Sequence, residues 1–385
     1  MQARPHDIAL FGATGFTGAL AAEYLARHAP PQTRWALAGR DLDKLAALQE
    51  RLPTDTPSPL IRADVGDRPS LEELARSARV VISTVGPYIE HGEPLVAACA
   101  AAGTDYVDIS GEPEFVDLVY VRHHAAAQLS GARLVHCCGF DSIPTDLGVL
   151  FTVQQLPEGQ PLRVEGFVSA RGRASAGTLA TVMTGLSRPR SFVQTARARR
   201  LLEERPDGRR VRGVAGSPHR VPGVGWVLPM PTVDPQIALR SARALERYGP
   251  EFSYSHYFAA GSLPVALATA GVVGSMFGVA QVPPARRAAL ARLTASPGPP
   301  PEVRARSWFK LRFDGRAGDG QRVVTEVAGG DPGYEETAKM LCQSALCLAH
   351  DELPQRSGQL TTAVAMGDAL RARLEGAGIS FARIQ

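Results

Sequence analysis

The sequence predicts an α/β fold, in which an N-terminal doubly wound parallel sheet is followed by a second, α+β domain. Three observations predict it. Short apolar runs alternate with helical stretches over residues 8–136, the first run leads directly into a glycine-spaced turn, and longer strands with a hairpin follow after residue 150. The expected domains are 1–148, then 149–330 with a hydrophobic segment near 258–282, then C-terminal helices in 331–385 that pack back on the first domain.

The first element is the apolar run 8–11, whose lack of alternation suits a strand buried on both faces. Three glycines follow at three-residue spacing, and 17–27 is predicted to be a helix. A dinucleotide pyrophosphate needs this order, because the glycines allow a tight turn, close approach of the phosphates and close packing of the helix, whose first N–H groups face the anion. The alternative is a plain strand–helix turn. The residues expected to hold the pyrophosphate are Gly12, Ala13, Thr14, Gly15, Phe16, Thr17 and Gly18.

The other elements of the first domain complete a six-stranded dinucleotide-binding set of the Rossmann type. Further strands are predicted at 35–40, 60–63, 80–84, 106–109 and 133–136, and helices at 41–51, 70–76, 93–102 and 114–129.

The second domain starts with a longer predicted strand at 162–171 and a helix at 177–187. Residues 217–234 are rich in Pro and Gly, which favours a loop or insertion over regular structure. An antiparallel hairpin is expected from 303–313 and 321–328, and helices from 335–349 and 361–375.

Residues 258–282 carry no charge and are long enough to cross a bilayer, although they are mostly Ala, Gly and Val. Three interpretations remain open: a buried or dimer-forming helix of the second domain, a membrane-surface or lipid-facing segment, and a spanning helix.

Charge and composition exclude several classes of protein. The formal net charge is +4, and a run of seven arginines against three acids at 197–212 accounts for that excess, so no broad basic face for nucleic acid is expected. That run is either a solvated helix and loop, or a docking surface for an acidic acyl carrier protein or an anionic membrane.

The five cysteines form no C-x-x-C pair and are expected to be reduced and buried. The histidines show no metal-ligand spacing, and the polar start 1–6 favours a cytoplasmic protein.

The cofactor expected in the first domain is NADP. Arg40 lies at the end of predicted strand two, where an NAD site places an acid, and Lys44 lies one turn into the next helix, so both suit a 2′-phosphate. Because the next residue, Asp41, is an acid, NAD remains an alternative cofactor. The other predicted contacts are Asp64 and Val65 with the adenine, and Thr84, Val85, Gly86 and Pro87 with the ribose and nicotinamide.

Four motifs together resemble the saccharopine dehydrogenase-like oxidoreductases, and within them the bacterial trans-acting enoyl reductases. They are GATGFTG at 12–18, AGRDLDKL at 38–45, STVGPYIEHGEPLVAACAAAGTDYVDISGE at 83–112 and GFDSIPTDLG at 139–148, and GDPGYEETAKML at 330–341 is similar as well. The resemblance implies a Rossmann domain, a nicotinamide cofactor and, for several members, association with membranes. It does not identify the substrate.

Reduction of an activated C=C bond needs hydride delivery, stabilisation of an enolate oxygen and a proton donor. The residues expected to supply these functions are Tyr88, beside the nicotinamide, and Asp141 and Ser142, in the turn after strand six. Each has an alternative: Tyr88 could pack on the cofactor only, and Asp141 or Ser142 could cap the following helix. His91 is a further candidate acid, and Asp108 and Glu112 are candidate supporting groups.

Three functions therefore compete. The first is an NADPH-dependent reductase of a lipid or polyketide intermediate, with an acyl carrier protein or a membrane surface as partner and a homodimer as a further option. The second is a saccharopine-type amino-acid enzyme, whose substrate carboxylates would need arginines such as Arg171, Arg173 and Arg188. The third is a non-catalytic NADP(H)-binding protein.

Overall fold

A computed structural model describes residues 4–54, 57–172, 175–294 and 298–385. Contacts divide the chain into two units. The first comprises Met1–Ser110, Glu114–Phe140 and Tyr334–Ala377, and the second comprises Gly111–Pro113, Asp141–Gly333 and Gly378–Gln385.

The strands, in chain order, are β1 His6–Phe11, β2 Trp35–Gly39, β3 Leu60–Arg62, β4 Ala78–Ser83, β5 Asp105–Asp108, β6 Arg133–Val135, β7 Leu162–Arg171, β8 Arg210–Gly213, β9 His219–Val221, β10 Gly225–Pro229, β11 Glu251–Gly261, β12 Trp308–Ala317, β13 Arg322–Gly329, β14 Gly358–Leu360 and β15 Ser380–Arg383. The helices are α1 Phe16–His28, α2 Leu42–Gln49, α3 Arg68–Ser77, α4 Tyr88–His91, α5 Glu93–Ala102, α6 Pro113–Ser130, α7 Ile143–Gln154, α8 Ala176–Leu186, α9 Pro189–Leu202, α10 Asp234–Ala244, α11 Leu263–Gln281, α12 Pro283–Thr294, α13 Pro301–Arg304, α14 Glu335–His350, α15 Thr362–Ala365 and α16 Gly367–Gly376, with a 3₁₀ turn at Glu246–Tyr248.

Over its described residues, the first unit is built on a parallel sheet of seven strands in the order β14-β6-β5-β4-β1-β2-β3. Ile8, Ala9 and Leu10 of the first strand are fully buried, as the unbroken apolar run predicts for a strand covered on both faces. The α/β fold class with a doubly wound parallel sheet is confirmed. The six predicted strands are present, and β14, from the C-terminal part of the chain, adds a seventh beside β6.

The C-terminal helices of the first unit include α14, which contacts α1, β1, β4 and β5 and is buried over most of its length. The prediction of one helix over 361–375 is wrong. The chain forms α15 and α16 instead, because Gly367 adopts a positive φ of 46° and Thr361 caps α15 by accepting a hydrogen bond from the Val364 N–H.

Arg373 of α16 forms a bidentate ion pair with Asp351, which directly follows α14. The Nε–Oδ2 and Nη2–Oδ1 distances are both 2.6 Å. Burial alone would raise the pKa of the Asp351 carboxyl, but the bonds from Arg373 outweigh it and hold that pKa below its ordinary value. The stabilisation is therefore complete above the pKa of the unfolded carboxyl and is lost as the pH falls through the lower, folded-state pKa.

We expect Arg373→Ala to lower the melting temperature at pH 7 by about 2–4 °C, the effect of losing about 1 kcal/mol in a domain of this size. At pH 3 and below the difference from the parent should shrink, because the parent then loses the same pair. Differential scanning calorimetry at both pH values measures this, with Arg27→Ala, which removes an exposed pair with Glu23, as the control. An equal loss at both pH values would contradict the assignment.

The second unit, over the residues described, is built on a mixed sheet of eight strands, ordered β15-β13-β12-β7-β11-β10-β9, with β8 paired to β11. Helix α7 packs on β7, β12 and β13. Its Gly148 lies against the Phe313 ring of β12, where an added Cβ would come within 2.3 Å of a ring carbon, so the glycine lets the helix approach the sheet closely. This unit confirms the predicted α+β second domain.

Two sequence predictions for the second unit are wrong. Residues 217–234, predicted as loop, contain β9 and β10, which pair antiparallel around a turn at Gly223 (φ 74°) and bury Val227 completely. The hairpin strands lie later than predicted, since β12 continues to Ala317. Asp314 forms ion pairs with Arg316 of the same strand and with Arg322 of β13 across the hairpin, so charged residues predicted to form the turn belong to the ladder.

The arginine run at 197–212 is partly structural. Arg199 is buried and forms an ion pair with Glu203, which also contacts Arg240. Arg209 donates to the carbonyls of Ala242 and Leu245 at 2.8 and 2.9 Å and thereby caps the end of α10. The solvated-surface interpretation therefore does not hold for these two arginines.

The uncharged segment forms the end of β11 and the whole of α11. Only Ala266 and Ala280 of α11 are buried, so the interpretation as a helix buried within the second domain is wrong.

The cysteine prediction is confirmed: all five are buried and free, and burial raises the pKa of the Cys99 and Cys342 thiols.

Candidate cofactor and active site

The loop after β1 has the geometry that a pyrophosphate needs. Gly12 has a φ of 83°, and a Cβ there would lie 2.7 Å from both Thr84 Oγ1 and Val85 Cγ2. A Cβ on Gly18 would lie 2.2 Å from the carbonyl oxygen of Gly12, so the start of α1 rests directly on the turn. At Gly15, by contrast, an added Cβ would meet only the Gly12 oxygen, at 3.4 Å. The loop therefore has no room for a side chain at Gly12 or Gly18, where it packs on the protein, whereas space remains beside Gly15.

The backbone N–H groups at the beginning of α1 have no side-chain cap. Gly15 is the N-cap, no side chain forms a capping hydrogen bond, and the first turn contains no acidic residue. The helix dipole and these donors favour a negative group at this point. Phe16, 43% exposed, packs edge-on against Tyr334 at 4.8 Å between ring centroids.

The remaining predicted cofactor residues follow neighbouring strands of the same sheet. Arg40 follows β2, Asp64 and Val65 follow β3, and 84–87 follow β4, while the glycine loop follows β1. Because these four strands are adjacent and parallel, their carboxyl ends meet at one edge, where ligands bind in this architecture.

An open depression lies between the ends of β2 and β3. It is lined by Arg40, Asp41, Leu42, Asp43, Arg62 and Asp64. The strand register places Gly39 beside Arg62, so exposed guanidinium groups from two strands flank the position expected for the adenosine ribose. Arg62 was not identified from the sequence. The strand register, which places it beside Gly39, is the signal that would have found it.

The position of Lys44 supports a contact with the 2′-phosphate less directly than that of Arg40. Its Nζ lies 3.3 Å from Asp41 Oδ2, its side chain is 72% exposed, and it does not line the depression. Asp41 accepts a hydrogen bond from the Lys44 N–H as the N-cap of α2, and the bonds from Lys44 lower the pKa of Asp41. This carboxylate is therefore committed to the helix start.

We expect Arg40→Ala and Arg62→Ala each to weaken NADPH binding about tenfold, the effect of one charge-assisted hydrogen bond of roughly 1.4 kcal/mol. NADH binding should change by less than about twofold, because it lacks the 2′-phosphate. Isothermal titration calorimetry with both coenzymes measures this, and Arg51→Ala, an exposed arginine of the same unit, serves as control. Equal losses for both coenzymes would contradict the phosphate assignment.

The end of β4 is fixed by two side chains. Thr84 Oγ1 lies 3.2 Å from the Phe11 carbonyl oxygen and 3.1 Å from that of Gly12, so it ties the segment to the glycine turn. Tyr88 is 5% exposed, and its hydroxyl donates to the Ser83 carbonyl at 3.0 Å. This hydroxyl also accepts from the Ile109 N–H at 3.4 Å. Tyr88 therefore links the ends of β4 and β5.

A buried pair that the sequence did not single out fixes the ends of β5 and β6. Asp108 Oδ2 lies 2.6 Å from His136 Nδ1, and Asp108 Oδ1 accepts from the N–H of Ser110 and of Cys137. Cys137 has a positive φ of 61°, which these bonds hold in place. Asp108 was a candidate without a defined role, and His136 was missed. Asp108 ends β5 and His136 directly follows the neighbouring strand β6, so strand register was again the available signal.

The turn after β6 leads along the chain to Asp141 and Ser142, both in the second unit. The Asp141 carboxylate is half-buried and lies next to Gly111, where an added Cβ would come within 3.3 Å of Oδ1. Ser142 is fully buried at the N-cap position of α7, yet its side chain makes no capping bond and Oγ has no hydrogen-bond partner among the described residues.

The other candidate residues lie as follows. His91 is the last residue of the short helix α4. Glu112 of the second unit is buried and accepts from Thr181 Oγ1 at 3.4 Å. Arg171 and Arg188 are exposed, and Arg173 lies outside the described residues. Within the described part of the chain, no three His, Cys, Asp or Glu side chains are grouped to hold a metal ion.

Comparisons with known proteins agree with this geometry. Residues 8–134 match the family model for the saccharopine dehydrogenase NADP binding domain. A Mycobacterium tuberculosis protein named as a candidate trans-acting enoyl reductase is 38% identical, over 98% of this chain and 97% of its own length. A trans-acting enoyl reductase of Mycobacterium ulcerans is 35% identical over the same shares. The chain belongs to the trans-acting enoyl reductase family.

As a member of the trans-acting enoyl reductase family, this protein is an NADP-dependent oxidoreductase. The glycine loop that a Cβ would block, the uncapped start of α1 and the two arginines beside the depression fit that cofactor. The fold is also similar to that of saccharopine dehydrogenase (L-Glu forming) from Saccharomyces cerevisiae, with a TM-score of 0.57 at 14% identity, covering 99% of this chain and 100% of that chain. That likeness concerns the fold alone.

Proposed function

We propose that this trans-acting enoyl reductase family member uses NADPH to reduce the activated C=C bond of a lipid or polyketide intermediate. The observation that carries the proposal is the full-length likeness to the trans-acting enoyl reductases, in a chain whose glycine loop and arginine pair suit NADPH.

The reaction assigns three tasks to the protein. When bound, NADPH supplies the hydride for the β-carbon of the substrate. The protein must orient the substrate, stabilise negative charge on its carbonyl oxygen and deliver a proton to the α-carbon. We assign the proton delivery to Asp141, whose carboxylate is half-buried and lies next to Gly111 in the turn that follows β6.

Ser142 is assigned to hydrogen bonding with the reacting carbonyl. A buried hydroxyl without a partner costs about 1–3 kcal/mol, so its retention needs an explanation, and a role in catalysis is one. The capping alternative receives no support, because Ser142 Oγ makes no bond to the start of α7.

Tyr88 is assigned a positioning role. Its hydroxyl is engaged by Ser83 and Ile109, so it holds the ends of β4 and β5 in register beside 84–87. Those residues are proposed to contact the ribose and nicotinamide, Asp64 and Val65 the adenine, 12–18 the pyrophosphate, and Arg40, with Lys44 beside it, the 2′-phosphate.

The substrate of such an enzyme is presented to it by a carrier protein or by a membrane. A trans-acting reductase works on an intermediate that a separate synthase has built, so we propose either an acyl carrier protein or a membrane as the source of the substrate. A homodimer is compatible with both. NADPH dependence and five buried, free thiols favour the cytoplasm.

The deciding experiment follows NADPH absorbance with the purified full-length chain and an α,β-unsaturated acyl thioester, then with saccharopine and NADP. We expect NADPH oxidation with the thioester and none with its saturated counterpart, and mass spectrometry should show a product two hydrogens heavier. Turnover of saccharopine instead would favour the amino-acid alternative, and no turnover of either would overturn both. Asp319→Asn, in an exposed hairpin turn, is the matched control for Asp141 variants.

A further inference from the structure

Helix α11 is apolar along its whole length, yet the described residues leave most of its surface uncovered. Within the described chain it is the one helix long and apolar enough to cross a membrane, and only 11% of its most apolar stretch is buried. The exposed fractions of Val272, Val273 and Phe277 are 60%, 56% and 51%. A helix that is apolar on all sides is normally covered, and an uncovered patch of this kind marks an interaction surface.

The surroundings of α11 are cationic. It contacts α8 and α12, and α8 in turn contacts α9, so these four helices form one layer, named here the helical layer. Neither 166–202 nor 252–301, the segments that contain the layer, includes a single Asp or Glu. Exposed arginines of the layer are Arg188, Arg190, Arg197, Arg200, Arg287 and Arg292. An anionic and apolar partner therefore complements this surface.

Among partners of that chemistry, a lipid bilayer fits best. An acidic acyl carrier protein would satisfy the arginines, but its charged surface would leave an apolar helix of 19 residues uncovered. A second copy of the chain would bring arginine against arginine, because a twofold interface joins the same patch to itself. An anionic bilayer offers hydrocarbon to α11 and headgroup phosphates to the arginines.

The topology requires attachment from one side. Strand β11, directly before α11, and strand β12, after it, both pair with β7 in the same sheet. The far end of α11 is also tied back, because Gln281 Nε2 donates to the Leu186 carbonyl of α8 at 2.8 Å. If α11 crossed a bilayer, β11 and β12 would lie on opposite sides of it, which the shared sheet forbids.

We propose that the helical layer anchors the protein peripherally on an anionic membrane, with α11 embedded among the lipids of one leaflet and the arginines of α9 and α12 at the headgroups. This attachment does not depend on the reductase chemistry, so the two proposals fail separately.

The test is flotation of the purified full-length chain with phosphatidylcholine vesicles, with and without phosphatidylglycerol. We expect at least tenfold more protein on the anionic vesicles at low salt, and a lower bound fraction in high salt. The double variant V273E/F277E should lose at least nine-tenths of the binding. Because both side chains are exposed, its melting temperature should match that of the parent. The matched control is Leu129→Glu, since Leu129 is 91% exposed in the first unit and should leave binding unchanged.

Two further readouts make the outcome decisive. A polarity-sensitive dye on Ser275→Cys, an exposed position of α11, should shift to the blue on anionic vesicles. Sedimentation velocity of the parent without lipid tests the second copy as occupant. A dimer that V273E/F277E dissociates, together with no flotation, would overturn the proposal. Equal flotation on neutral and anionic vesicles, or flotation unaffected by V273E/F277E, would also overturn it.

Discussion

Gly18→Ala is expected to reduce NADPH affinity by at least about 100-fold, equivalent to roughly 2.7 kcal/mol, and to lower the melting temperature of the cofactor-free protein. The added Cβ would lie 2.2 Å from the Gly12 carbonyl oxygen and 2.9 Å from the Ala13 Cα, and neither backbone atom can rotate away. The start of α1 must therefore move off the turn, at a cost of about 1–3 kcal/mol. Calorimetry of the cofactor-free protein and titration with NADPH measure the two effects.

The matched control is Gly15→Ala. Its Cβ would meet only the Gly12 oxygen, at an ordinary contact distance of 3.4 Å, so the cofactor-free protein should melt at the parent temperature. The methyl group would occupy the space left for the phosphates, so NADPH affinity should still fall steeply. If both variants melted like the parent and bound NADPH normally, the pyrophosphate would not lie on this loop.

The glycine loop was predictable because it is a local feature. The run 8–11, the three glycines and the following helix are consecutive in the chain, and each conformation follows from the residue type at that position. The alternation of strands and helices is local in the same sense, and it specifies a parallel sheet. The strand order was not needed for that prediction.

Features that depend on strand register were beyond the sequence patterns. Arg62 ends β3 and His136 directly follows β6, and their neighbours, Gly39 and Asp108, lie 23 and 28 positions away in the chain. The prediction of a loop in place of the hairpin of β9 and β10 was wrong for another reason. Its prolines and glycines favour loops locally, but pairing with β11 and the burial of Val227 outweigh that preference.

Exposure of α11 could not be read from its composition either. An uncharged run of Ala, Gly and Val is compatible with a buried helix as much as with a lipid-facing one. Only the three-dimensional structure shows that α8 and α12 leave most of the helix uncovered.

Asp141→Asn is expected to lower turnover with an α,β-unsaturated thioester by about 10²–10⁴-fold, the usual contribution of a positioned proton donor. The amide has nearly the shape of the carboxyl group but cannot deliver the proton. NADPH affinity should stay within about twofold of the parent, because the proposed cofactor contacts lie at the ends of β1–β4. Stopped-flow absorbance measures turnover.

Ser142→Ala separates catalysis from helix capping by the sign of its effect on stability. If Ser142 capped α7, its loss would cost about 1 kcal/mol and lower the melting temperature. Because Oγ is buried and has no hydrogen-bond partner in the part of the chain that the structure describes, we expect instead a melting temperature equal to or above that of the parent, together with a turnover about tenfold lower. A less stable variant with normal turnover would return Ser142 to a structural role and leave Asp141 as the remaining candidate in this turn.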